Sequence, residues 1–198
     1  MLDLHIVQAL HGDCFFLEYG APAQTRFLLI DGGPATTYLA HLRPMLQQFA
    51  ARGAQLDHVV LTHADDDHVI GLVDLFAELR QTQLQDLPGV IGVGEVWMNS
   101  FAFDAAAAPS LAHILIPHPP ASLAPLAPPM PLAAVEDAGL LAPQHGVAEG
   151  VDMRQLLESL QLPVNPGFPN NLVTLDTVPT QLVRHGLHLT LVGPSKSG

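Results

Sequence analysis

Three pieces of chain follow one another without a gap between residues 57 and 79. Residues 57–62 (DHVVLT) centre on the apolar, β-branched-rich Val59-Val60-Leu61 and read as a strand. Next comes His63-Ala64-Asp65-Asp66-Asp67-His68, two imidazoles and three carboxylates in six residues. From Val69 the apolar positions fall at Val69, Leu72, Val73, Phe76 and Leu79, the period of a helix lying on a core. A strand that runs through a polar loop into an amphipathic helix needs a sheet to join and a surface to cross. That arrangement places the loop at the carboxyl end of a strand, where open α/β folds keep their chemistry.

The neighbouring sequence supplies the other strands. Residues 2–9, 14–19 and 25–30 are short, rich in Leu, aromatic and β-branched residues, and separated by turn-like His11-Gly12-Asp13 and Gly20-Ala21-Pro22. The third of them runs into a sharp break at Asp31-Gly32-Gly33-Pro34. A helix is expected over about 36–52, restarting at Pro44, which suits a first helical turn, and stopping at Gly53. Residues 90–98 hold a further strand. A helix begins at Asp152, a cap paired with Gln155, shows the stripe Met153, Leu156, Leu157 and Leu160, and ends before Pro163. Residues 172–178 and 181–192 are the last strand candidates, the second broken at Gly186. The reading is α/β (α+β).

Composition changes after Phe103. Nine of the 18 prolines lie between residues 101 and 150, beside a run of alanine at 105–108, and no period is sustained there. We therefore divide the chain into residues 1–103, a Pro/Ala-rich insertion or arm at 104–148, and residues 149–198 continuing the first domain. The arm is a candidate docking segment for a partner protein. Among the histidines, His113, His118 and His145 lie in or beside it, with no motif around them.

Charge and hydropathy exclude several classes. The 198 residues can bury a core without staples, and their mean hydropathy of +0.30 is that of a folded chain. No apolar run approaches the roughly eighteen residues of a membrane span. The first residues carry no basic segment, and Cys14 is the single cysteine, so a cytoplasmic location without intrachain disulfides is expected. Cys14 sits in an apolar strand and reads as core. A net charge of −12 argues against a protein that coats nucleic acid through a basic face, but not against metal-centred chemistry on phosphates.

The acidic loop carries that chemistry. Three carboxylates this close repel one another unless a cation joins them, and a divalent cation would recruit the two imidazoles as well. Asp66 is read as the helix-capping residue. Thr62-His63-x-Asp65-x-Asp67-His68 resembles the signature loop of the metallo-β-lactamase-fold hydrolases, in which Asp65 stands where most have a second His. The variant is similar to the hydrolase branch of bacterial DNA-uptake competence proteins. The strand, Gly12-Asp13, strand, Leu28-Leu29-Ile30-Asp31-Gly32-Gly33 opening agrees with it.

The resemblance implies a four-layer αββα sandwich, with the C-terminal half of the fold incomplete within these residues. It implies that His63 and Asp65 bind one metal and Asp67 and His68 a second. Asp67 would also be catalytic, orienting or deprotonating a bridging water activated by both ions. Asp31 would lie beneath the ligands and hold them by hydrogen bonds, with Asp13 on the neighbouring turn doing likewise. His11, beside Asp13 on that turn, is a further candidate for supporting the ligands or contacting substrate. The implied cofactor is a divalent metal: zinc, with manganese as the alternative that Asp65 favours. The implied reaction is hydrolysis of a phosphodiester, with nucleic acid a candidate substrate. The alternative is a metal-poor or incomplete domain of this fold that acts as an interaction module or needs a C-terminal half for activity.

Overall fold

The computed structural model describes residues 1–21, 24–99, 153–174, 181–184 and 186–193. Its centre is a five-stranded sheet in sequence order, made of β1 (Leu2–Ile6), β2 (Phe15–Ala21), β3 (Gln24–Ile30), β4 (Gln55–Val60) and β5 (Gly92–Trp97). The first three strands form an antiparallel meander. β3, β4 and β5 are parallel, with Leu28 opposite His58 and Val60 opposite Trp97. Parallel neighbours require crossovers, and the two helical segments supply them. One is a π-helical turn, Tyr38–Leu42, running directly into α1 (Arg43–Ala50). The other is α2 (Asp66–Leu84). Pro44 stands in the first turn of α1, directly after the π-helical turn.

Alternation sorts the strands. Phe16, Leu29, Val59 and Val96 share one core with Leu42, Leu46, Val69, Leu72 and Phe76 of the helices, so both crossovers lie on that face. Full burial of each such side chain contributes about 1.5–3 kcal/mol. On β1 the odd-numbered His5 turns inward and packs edge-on against Phe16 and Phe49, while Leu2, Leu4 and Ile6 stay exposed. Asp57 fastens β4 to β3: its carboxylate accepts bonds from Arg26 Nη1 (2.6 Å) and from the Phe27 N–H (2.9 Å).

Residues 153–159 form α3, whose Met153 and Leu157 are fully buried in the same core. The chain then returns along the open edge of β5, where Val164 bridges Val96 in parallel. Asn165 completes the join, taking the Met98 N–H (2.9 Å) and donating to the Met98 carbonyl. A separate hairpin pairs β6 (Gln181–Arg184) with β7 (Leu187–Thr190) through Gly186. The architecture is mixed α/β and consistent with the expected metallo-β-lactamase fold.

Three expectations are corrected or fall outside these residues. Helix α2 starts at Asp66 rather than Val69. Asp65, in extended conformation, occupies the cap position that the sequence suggested for Asp66. Residues 172–174 are not strand. Asn99 holds them with its side chain, donating to the Val173 carbonyl (2.9 Å) and accepting the Val173 N–H (3.0 Å), as a neighbouring strand otherwise would. The 104–148 arm with His113, His118 and His145, the Asp152 cap, and residues 175–178 lie outside the described residues.

Candidate metal centre

The site is assembled where β3 and β4 end side by side. Strand β3 stops at Asp31, whose N–H still bonds to the Val60 carbonyl of β4 (2.9 Å). Its φ of +56° then swings the chain away. Asp is among the few non-glycine residues that accept this left-handed conformation, because its short side chain bonds locally. The Asp31 carboxylate is buried and accepts three bonds. Oδ1 takes the Thr62 N–H (2.8 Å). Oδ2 takes the Thr62 hydroxyl (2.7 Å) and His68 Nδ1 (3.0 Å).

Two close backbone approaches hold the loop against this floor. Gly32 lies against Gly71 in the second turn of α2, and a Cβ on either would overlap the other's backbone. The Gly32 N–H bonds to the His68 carbonyl (2.8 Å) and the Gly71 N–H to the Gly33 carbonyl (3.0 Å). On the other side, the 11–13 turn presses Gly12 against the Asp67 carbonyl and the Pro34 ring. A Cβ there would strike both. The Asp13 N–H donates to the Asp67 carbonyl (3.3 Å).

The donor atoms converge as follows. The rings of His63 and His68 lie 3.8 Å apart between centroids. His68 is buried; its Nδ1 donates to Asp31, so in the neutral ring the lone pair lies on Nε2, which faces Asp67 Oδ2 at 3.6 Å. His63 is half-exposed, and its Nε2 faces Asp65 Oδ2, also at 3.6 Å. His63, Asp67 and His68 each offer one ligand atom, all within 4.8 Å of one another. The two His–Asp pairs are too long for hydrogen bonds. They match the spacing of two donors on one ion: at zinc–ligand distances of about 2.0–2.2 Å, neighbouring donors lie roughly 3–4 Å apart. The donor set, imidazole nitrogen with carboxylate oxygen, suits a divalent ion of intermediate softness.

The structure thus gathers His63, Asp67 and His68, with Asp31 beneath them. Asp65 stands at the rim, its side chain 72% exposed and facing His63. Asp13 meets the loop through its backbone, and His11 is exposed on the same turn. Cys14 lies near the floor but is no nucleophile: burial, and then the charge of Asp31, push its thiol up to about 12. Sequence reasoning assigned no task to Gly12 and Gly71, whose only signal is a glycine beside an acidic turn and one inside a helix. It gave none to Thr62 either, a hydroxyl immediately before the first histidine.

Comparisons with known proteins bear on this segment. Residues 7–83 match the family model of the metallo-beta-lactamase superfamily, a span that contains the 11–13 turn, Asp31 and the whole 63–68 loop. Among solved structures, a beta-lactamase domain protein from Burkholderia ambifaria matches at 19% identity with a TM-score of 0.32, over 56% of this chain and 34% of that one. The chain spans about a third of the length of that protein. No curated protein matches the chain. The superfamily match and the His63–Asp67–His68 cluster together fit a metal-dependent hydrolase. No helix among the described residues is long and apolar enough to cross a membrane.

Proposed function

We propose that this chain hydrolyses phosphodiesters with a divalent metal held by His63, Asp65, Asp67 and His68. The observation that carries the reading is the convergence of His63, Asp67 and His68 donor atoms within 4.8 Å above a buried carboxylate that orients one of the rings. The choice of phosphodiester rests on Asp65. An oxygen ligand where most relatives of the motif carry nitrogen makes the site harder and more anionic, which suits zinc or manganese working on phosphate oxygens. It also rests on the resemblance of residues 1–80 to the competence-protein branch.

A divalent ion at this place supplies a water of lowered pKa and polarises the oxygen of the bond to be cut. The protein's own residues do the rest. His63 and His68 present Nε2 outward from a fixed floor. Asp67 turns Oδ2 toward His68, leaving Oδ1 to orient the attacking water and take its proton. With 7 basic residues against 19 acidic ones, a nucleic-acid substrate would be recognised at the metal and not along a basic groove.

The test is metal content together with hydrolysis of bis(p-nitrophenyl) phosphate by the whole chain and by Asp67→Ala. The wild type should bind zinc or manganese and cleave the diester, and Asp67→Ala should lose on the order of a hundredfold or more in rate. Equal rates in the two proteins would contradict the role of Asp67. A wild type that binds no divalent ion and cleaves nothing would favour the interaction-module alternative.

A further inference from the structure

We infer that Thr62 is a positioning residue that fixes the tautomer of His63 by relaying the charge of Asp31 through its hydroxyl; this rests on the reading of His63 as a metal ligand. Three distances carry it. Thr62 Oγ1 lies 2.7 Å from Asp31 Oδ2 and 3.0 Å from His63 Nδ1, and His68 Nδ1 lies 3.0 Å from the same Asp31 oxygen.

A hydroxyl has one proton and so donates one bond, while a carboxylate has none and only accepts. The Thr62 proton therefore points to Asp31. The Thr62 oxygen, still carrying lone pairs, can meet His63 Nδ1 only if that nitrogen bears the hydrogen. The neutral His63 ring is then the Nδ1–H tautomer, with a bare Nε2 on the side of Asp65. His68 reaches the same state through its direct bond to Asp31. A single buried carboxylate thus sets both rings alike, one at first hand and one through Thr62. In the neutral rings both Nε2 lone pairs face a carboxylate oxygen at 3.6 Å, an arrangement that a shared cation would relieve.

The role belongs to the hydroxyl and not to the shape of the residue. The backbone N–H of Thr62 bonds separately to Asp31 Oδ1 (2.8 Å), so Thr62→Val keeps that anchor and the β-branched form while losing the relay. Thr62→Ser keeps the relay. Ligand-orienting partners of this kind are worth about 10–100-fold in metal affinity.

The experiment is nitrogen NMR of the imidazole rings in the metal-free whole chain at about pH 8, where ordinary imidazoles are neutral. Zinc titration of the same proteins accompanies it. The wild type and Thr62→Ser should show His63 with hydrogen on Nδ1. Thr62→Val should move His63 toward the Nε2–H form, leave His68 unchanged, and bind zinc about tenfold or more weakly. A wild-type His63 with hydrogen on Nε2 overturns the inference, as does a Thr62→Val protein whose His63 tautomer is unaltered. If the tautomers behave as stated but no variant, wild type included, binds zinc, the relay stands and the metal reading of the site fails.

Discussion

Two carboxylates among the described residues, the buried Asp31 and the half-buried Glu78, each accept three hydrogen bonds, and they do different work. Glu78 of α2 takes the Tyr38 hydroxyl (2.8 Å), Arg43 Nε (2.7 Å) and Arg43 Nη2 (2.9 Å). Asp31 takes the Thr62 N–H, the Thr62 hydroxyl and His68 Nδ1. The guanidinium of Arg43 has no acceptor atom to pass a role on, so the triad is a clamp that ties the first helical crossover to the second. Two of the three partners of Asp31, the Thr62 hydroxyl and the His68 ring, carry an acceptor site beside the donor and belong to the loop. Each imidazole or hydroxyl that gives a proton to Asp31 has another atom whose state is thereby set, and those atoms face outward at the loop. An equal count of hydrogen bonds thus makes a structural pin in one place and an orienting floor in the other.

Removing groups along the outward chain should reach the metal chemistry. Asp67→Ala should lower phosphodiester cleavage on the order of a hundredfold or more while shifting unfolding stability by about 1 kcal/mol or less, since its side chain is partly exposed and stands 3.6 Å from His68, beyond hydrogen-bond reach. Asp31→Asn keeps the volume but offers one acceptor oxygen where there were two. It should weaken zinc binding about 10–100-fold and lower stability by about 1–3 kcal/mol in denaturant titration, because a buried donor is left unmatched.

The clamp should show the opposite pattern. Glu78→Gln should cost about 1 kcal/mol, discounted for the partly exposed Arg43, and leave zinc affinity at the wild-type value. Its pH dependence is the smallest effect. The hydrogen bonds from Arg43 hold the Glu78 carboxyl below its ordinary value against the opposing push of burial. A group with a depressed folded pKa stabilises at neutral pH and loses that contribution as pH falls through the ordinary glutamate range and below it. The stability gap between wild type and Glu78→Gln should therefore be full near pH 7 and shrink on acidification, as urea titrations at several pH values would read.

The two regions differed in how far the sequence revealed them. The strand, loop and helix at 57–79 were legible because periodicity reports which side of an element meets the core, and Val69, Leu72 and Phe76 are indeed fully buried. The His and Asp cluster was legible because its spacing is local. Periodicity says nothing about a side chain that bonds to backbone or charge many residues away. So the Arg43–Glu78 clamp across 35 residues, and Asn99 standing in for a strand beside Val173 across 74, left no trace in the pattern. The cap of α2 was placed one residue late for a related reason. In a run of three aspartates, propensity cannot choose among neighbours; it is the Asp65 carbonyl that accepts the His68 and Val69 N–H bonds (2.9 and 3.0 Å). Asp31 itself was expected beneath the ligands, but that its reach extends to His63 depends on a hydroxyl proton that only the three-dimensional arrangement assigns.

Calorimetric titration of the metal-free whole chain with zinc, run side by side on wild type, Asp31→Asn and Glu78→Gln, tests the central claim most directly. The account predicts that wild type and Glu78→Gln bind alike and Asp31→Asn binds about 10–100-fold more weakly. Equal zinc affinity in all three proteins, or no binding by the wild type, would contradict it.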